Sequence, residues 1–351
     1  MAHRRFWRAS GSVARTAEQH DLRTTLRSLN LLLRLHATPD NAAMETDPLP
    51  NQPAEAADLH SHPCNVMSDA MPQRNSSRTA LGVAVLRAVH QLLDCEPKIL
   101  EDPIAARLLG ADVVQQIQSH PARAHEPWAR ALRSHVVLRS RYAEECMAQA
   151  VRRDVRQCVI LGAGFETFAY RQPDWARRLR IYEVDHRATQ EDKRQRLQAA
   201  GIPIPANLEF VAIDFELVTL HEGMQATTLN FSEPAFFSCL GVLVYLTRDA
   251  VDAVFRFVAE FPASSEIVFA FSSAQSSLSG LAGRANSLGE PWRTHFKSQT
   301  LMRDLRALGF STISFLSMEE AERTYFQGRS DGLRAPRRGG IAAAIVGKHQ
   351  R

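Results

Sequence analysis

Residues 158–190 read CVILGAGFETFAYRQPDWARRLRIYEVDHRATQ, and the order of residue types in them decides the fold. An apolar, β-favouring run, Val159-Ile160-Leu161, breaks into Gly162-Ala163-Gly164. A second run, Ile181 to Val184, ends on Asp185. Strand, glycine turn, helix, strand and acid is the order of a Rossmann-like half that holds a nucleoside. Glycines let the backbone approach a ligand, and a carboxylate accepts both ribose hydroxyls. Asp185 follows Gly162 by 23 residues, close to the about 20 that this geometry asks for. The competing reading is an ordinary βα turn without a ligand. A dinucleotide fingerprint would place a third glycine at position 167, where Thr167 stands. That glycine allows close packing beside a pyrophosphate. Its absence argues against NAD or FAD and leaves room for S-adenosylmethionine, which has no phosphate.

Outward from this segment, short apolar runs alternate with helical patterns. Strands are expected at Cys158–Leu161, Arg180–Val184, Leu208–Ile213, Ala235–Gly241, Ile267–Phe271, Thr312–Leu316 and Ile341–Val346. Helices are expected at Glu191–Ala200, Arg248–Glu260, Thr300–Leu308 and Met318–Phe326. Such alternation means a mostly parallel sheet with helices on both faces. Upstream, a helix begins near Ala80 with Ser77 or Thr79 as cap, and Asp102-Pro103 opens a short one to Leu109. A long amphipathic helix runs from Ala131 to Ala150. The expected division is an N-terminal extension, 1–75, and one domain, 76–351, made of a helical covering segment (76–150) and a Rossmann-like core (151–351).

Composition bounds the function. A net charge of +4 is small for 351 residues and does not imply nucleic acid. No run approaches the roughly 18 apolar residues that span a bilayer. The five cysteines, Cys64, Cys95, Cys146, Cys158 and Cys239, form no CxxC, so neither a zinc site nor a disulfide framework is expected. Reduced, mostly buried thiols in a cytosol fit that usage. The extension has seven arginines before Asp40, an amphipathic piece from Leu22 to Leu35, and a polar, Pro-rich stretch to Pro72. A disordered tail, or translation starting at Met67 or Met71, is preferred there over an organellar transit peptide.

Strand three ends on Asp214-Phe215, a carboxylate beside an aromatic face, which suits an adenine or, alternatively, a helix cap. The fourth strand leads to Tyr245 and to Thr247, a plausible cap for the next helix.

At this point LGAGFETFAYR (161–171), EVDHRATQEDKR (183–194), FVAIDFE (210–216) and GVLVYLT (241–247) resemble the leucine carboxyl methyltransferase-like branch of class I S-adenosylmethionine-dependent methyltransferases. SRTALGVAVLRA (77–88), EDPIAARLL (101–109), LRSRYAEE (138–145) and GEPWRTHF (289–296) extend the resemblance over residues 76–347. It implies a seven-stranded sheet with an antiparallel last strand, and S-adenosylmethionine as cofactor. It also implies that Arg139 binds the methionine carboxylate, with Arg141 as a substitute. Gly162 and Gly164 would approach the methionine portion, Asp185 the ribose, and Asp214 with Phe215 the adenine. Glu183 is expected to be structural. Three departures stand out. Glu166 replaces the family's usual Asp, and Leu240 stands where leucine carboxyl methyltransferases proper carry a Glu. The Ser272–Asn286 loop has no recognition element.

The expected activity is methyl transfer to a small-molecule carboxylate or hydroxyl, in the cytoplasm and without a metal. Alternatives are a protein C-terminal leucine carboxyl methyltransferase, an NAD(P)-dependent oxidoreductase and a non-catalytic nucleoside-binding module. A hydroxyl acceptor would need a base, for which His186, His295 and Tyr245 are the candidates. Arg171 could face an anionic acceptor or a structural carboxylate. None is assigned a catalytic role.

Overall fold

Strand β1 (Gln157–Leu161) is buried on both faces, as a central parallel strand must be. In this computed structural model the described residues are 76–215, 217–273, 286, 290–337 and 339–348. The N-terminal extension with its Leu22–Leu35 piece, Cys64, most of the Ser272–Asn286 loop, and Gly289 of GEPWRTHF lie outside them.

Around β1 stand β2 (Arg180–Asp185), β3 (Leu208–Ala212), β4 (Ala235–Cys239), β5 (Glu266–Phe271), β6 (Phe310–Phe315) and β7 (Gly340–Val346). Their order is β3-β2-β1-β4-β5-β7-β6. β1 pairs in parallel with both β2 and β4, and β7 inserts antiparallel between β5 and β6. The expected seven-stranded, mostly parallel sheet with an antiparallel last strand is therefore present. Strand order reverses between β1 and β4, which opens a crevice at their carboxyl ends.

Alternate residues feed two cores. Val159, Leu161, Phe237, Phe269 and Ala344 face one, beneath the helix that follows β4; Cys158, Ile160, Phe236, Val268 and Ala343 face the other. Each such apolar side chain contributes about 1.5–3 kcal/mol on full burial, so the all-apolar strands occupy the middle of the sheet.

The helices before β1 are α1 (Arg78–Leu93), α2 (Pro103–Leu109), α3 (Ala111–Ser119), α4 (Pro121–Ala124) and α5 (Pro127–Arg152). Ser77 caps α1, its Oγ accepting from the Ala80 amide at 3.1 Å, and Asp102 caps α2. α5 starts four residues before the expected Ala131, because Pro127 fits the first helical position. After β2 come α6 (Arg187–Ala199), α7 (Leu220–Gln225), α8 (Arg248–Ala259, capped by Thr247), α9 (Ser298–Ala307) and α10 (Met318–Ala321). The turn from Glu322 to Phe326 continues α10 as a π-helix.

The helix expected directly after the glycine turn does not form. Two single 3₁₀ turns, Phe168–Tyr170 and Asp174–Ala176, take its place. Pro173 stands between them and cannot supply the amide that a continuous helix needs there. Nothing therefore packs at Thr167 as a dinucleotide helix would. Thr167 is fully buried instead, and its hydroxyl donates to Asp102 at 2.7 Å.

Cys146, Cys158 and Cys239 are buried and unbridged, and Cys95 is half-buried. No helix among the described residues is long and apolar enough to cross a membrane.

Candidate active site

The chain leaves β1 through Gly162 and Gly164, whose φ angles are +64° and +50°, a region that side-chain-bearing residues avoid. A Cβ on Gly162 would overlap the Val242 side chain that follows β4. One on Gly164 would press on Ala80 of α1 at 3.0 Å. The turn is thus squeezed between the β4 loop and α1, and only glycine fits. Asp185, at the end of β2, reaches across to it. One carboxylate oxygen accepts from the Gly164 amide at 2.6 Å and the other from the His186 amide at 2.7 Å. Burial raises the Asp185 pKa against the pull of those two donors. Each oxygen keeps a further lone pair.

Arg139 of α5 lies against Gly241, where a Cβ would run into the guanidinium; Gly241 has φ +76°. Arg139 is 9% exposed and makes no hydrogen bond or ion pair among the described residues. Burial, with Arg87 adding to it, lowers its pKa to about 10, so the guanidinium stays charged at neutral pH. A buried, charged and unpartnered guanidinium suits a carboxylate that the protein itself does not supply. Arg141 does not substitute for it: that side chain is exposed and pairs with Glu145 at 2.6 Å.

Arg139, Gly162, Gly164, Asp185, Asp214 and Phe215 all line one cavity of about 1280 Å³ at the carboxyl edge of the sheet. His186 Nε2 lies 3.9 Å from Asp214, and its Nδ1 accepts from the Ala188 amide at the start of α6. It therefore stands at the Asp214 end of the cavity and caps a helix. Tyr245 lines the same cavity, where burial raises its phenol pKa. His295 does not line it; its Nδ1 is 2.9 Å from Ser272 Oγ.

Arg171 is turned away into a buried ionic network. It pairs with Glu144, lies 3.5 Å from Asp102 and donates to Thr167. Of its two readings, the structural carboxylate is the one present. Glu166 belongs to the same network: Arg87 donates to it at 3.0 Å, and the Thr167 amide at 2.8 Å. Burial works against its charge, yet Arg87 and Arg171 hold its pKa down at about 2. Glu183 pairs with Lys193 at 2.6 Å beneath the sheet edge, as a structural residue. Leu240 is partly buried and lines the cavity, without offering the polar group that a Glu would bring.

Several lining residues were not legible in sequence. Glu290 accepts from the hydroxyls of Ser77 and Thr79 and from the Arg78 amide at 3.0 Å, fastening the start of α1 over the cavity. A partner more than 200 residues away leaves no spacing signal. Arg130, Ser134 and His135 of α5 also line the cavity. Ser134 and His135 stand five and four residues before Arg139 and Arg130 nine, all on one helix, which was a usable hint.

Similarity to known proteins agrees with this geometry. The model of the leucine carboxyl methyltransferase family matches residues 80–259. YktD of Bacillus subtilis (strain 168), named as an S-adenosyl-L-methionine-dependent methyltransferase, is 30% identical over 301 residues, covering 76% of this chain and 96% of that protein. A Mycobacterium marinum protein (strain ATCC BAA-535 / M) with the same designation is 29% identical over 235 residues, 62% of this chain and 72% of its own. A solved methyltransferase structure from Thermobifida fusca YX aligns over 76% of this chain and 94% of its own, at 16% identity and a TM-score of 0.48.

Proposed function

The chain belongs to the leucine carboxyl methyltransferase family and is an S-adenosylmethionine-dependent methyltransferase, and we propose that it methylates an oxygen of a small molecule. The observation that carries this reading is the mixed make-up of the cavity. Gly162, Gly164, Asp185, Asp214 and Arg139 line it, and so do Trp128, Leu132, His135 and Trp292.

S-adenosylmethionine, when bound, supplies a methyl group on a positively charged sulfur. Arg139 would hold the methionine carboxylate as a charge-assisted pair. The remaining lone pairs of Asp185 would accept the ribose hydroxyls, and Asp214 and Phe215 would meet the adenine. α1, fastened by Glu290, lines the site and would shield it from water. The chain's main contribution is then alignment of the acceptor oxygen behind the methyl carbon, which can supply about 7–11 kcal/mol.

None of the three proposed bases is well placed to take a proton. His186 caps α6, His295 lies off the cavity, and the buried Tyr245 phenol resists ionisation. An acceptor oxygen that is already ionised suits such a site best.

Tritiated methyl transfer into a cell extract tests the reading. Label is expected in the low-molecular-weight fraction, released by mild alkali if the product is an ester. Label found only in protein would overturn it.

A further inference from the structure

Among the described residues, nine side chains carry a buried nitrogen or oxygen atom without a hydrogen-bond partner. Eight of them, Ser76, Arg78, Arg87, Arg130, Ser134, His135, Arg139 and Trp292, line the same cavity, and of these Arg87 is ion-paired to Asp102 and Glu166. Chance burial would scatter such atoms, since nearly all buried polar groups find partners. Arg139 is accounted for by the cofactor carboxylate. Three of the others, Arg130, Ser134 and His135, come from adjoining turns of α5.

Two of the three lie against glycines: Gly332, at φ +77°, approaches Arg130, and Gly339, at φ +85°, approaches His135. A Cβ on Gly332 would sit 3.2 Å from the Arg130 guanidinium, and one on Gly339 would sit 3.0 Å from the His135 ring. The two glycines let the chain close onto both side chains and limit their rotamers. Arg130 has no carboxylate partner within salt-bridge range among the described residues. The acids that line the cavity are committed or lie elsewhere: Glu166 pairs with Arg87, Glu290 holds the start of α1, and Asp185 and Asp214 lie on the glycine-turn side. Burial, with the charge of Arg139 nearby, keeps His135 neutral, with a pKa of about 3. Its ring can therefore donate one N–H without adding charge.

We propose that Arg130, Ser134 and His135, closed in by Gly332 and Gly339, form a subsite that recognises the acceptor through an anionic group, a carboxylate or a phosphate. This deepens the methyltransferase reading and rests on it. One cation and two neutral donors match an anion with several acceptor oxygens, and the planar guanidinium pairs with either class.

The test is calorimetric titration of the full chain with benzoate, phenyl phosphate and neutral benzamide, with and without saturating S-adenosylhomocysteine. At least one anion is expected to bind about tenfold or more tightly than benzamide. The better of the two identifies the group. Arg130→Gln should weaken that anion about tenfold or more, and Arg130→Lys should weaken it less. Affinity for S-adenosylhomocysteine should stay within about twofold in both variants, which also reports that they fold. Equal binding of benzamide, no anion binding below about 10 mM, or an anion affinity indifferent to Arg130→Gln would overturn the proposal. If the wild-type chain bound the anion but not S-adenosylhomocysteine, the cofactor assignment would fall and the anion subsite would stand.

Discussion

A charged guanidinium buried without a partner costs free energy in the empty protein, and Arg139 is in that position. A charge held there at such a cost points to a ligand that offsets it on binding. Replacing it by Met keeps the bulk and removes the charge. Arg139→Met should therefore raise the stability of the ligand-free protein, by about 1–3 kcal/mol. The same change should weaken S-adenosylhomocysteine by about 10- to 100-fold, the worth of hydrogen bonds to a charged group. Thermal unfolding and calorimetry read the two effects separately. A destabilised variant with unaltered affinity would make Arg139 a structural residue. At this scale the sequence was informative where the backbone dictates residue type: Gly162, Gly164 and Asp185 were legible because a tight turn and a strand end demand them. Glu290 was not, because its bonds to Ser77, Arg78 and Thr79 depend on tertiary closure.

Among the elements, the apolar strands read clearly, because burial on both faces needs uninterrupted Val, Ile, Leu and Phe. α6 was harder. Its buried stripe is Thr189, Gln190, Lys193, Arg196 and Leu197, which hydrophobic periodicity undervalues. Those polar groups are compensated individually. Gln190 donates to the carbonyls of Glu183 and Val211, and Lys193 meets Glu183. Both members of the Lys193–Glu183 pair are 1% exposed, so removing one strands the other. Lys193→Met is expected to cost about 3–5 kcal/mol in chemical denaturation, and the double replacement Lys193→Met with Glu183→Leu much less. Equal losses in the single and double variants would show that packing, and not charge pairing, joins α6 to β2. The absent helix after Gly164 belongs to this scale too. Pro173 was visible in sequence, but the general strand–turn–helix pattern outweighed it.

For the molecule as a whole, the ionic network of Arg87, Asp102, Glu144, Glu166 and Arg171 joins α1, α2 and α5 to the glycine turn. It fixes the covering helices over the sheet edge. Glu166 titrates near 2 when folded and near 4.5 when unfolded, so the unfolded chain takes up its proton first. Its stabilisation is complete above about pH 4.5 and is lost as pH falls towards 2, by roughly 3 kcal/mol. Glu144, Glu183 and Asp185 shift the opposite way. The difference between wild type and Glu166→Gln is therefore what isolates Glu166: it should be largest at neutral pH and vanish near pH 2. A difference independent of pH would assign Glu166 a packing role only. The succession of strands and helices was legible and the antiparallel last strand followed from the family resemblance, whereas the strand order was not read, nor was this network, which joins residues from 87 to 171 in one place.

The central claim is that the glycine turn, Asp185 and Arg139 hold S-adenosylmethionine and no dinucleotide. Isothermal titration of the purified chain with S-adenosylhomocysteine and, separately, with NADH tests it most directly. The account predicts a dissociation constant of about micromolar order for S-adenosylhomocysteine and no measurable heat with NADH. Micromolar binding of NADH, with none of S-adenosylhomocysteine, would contradict it.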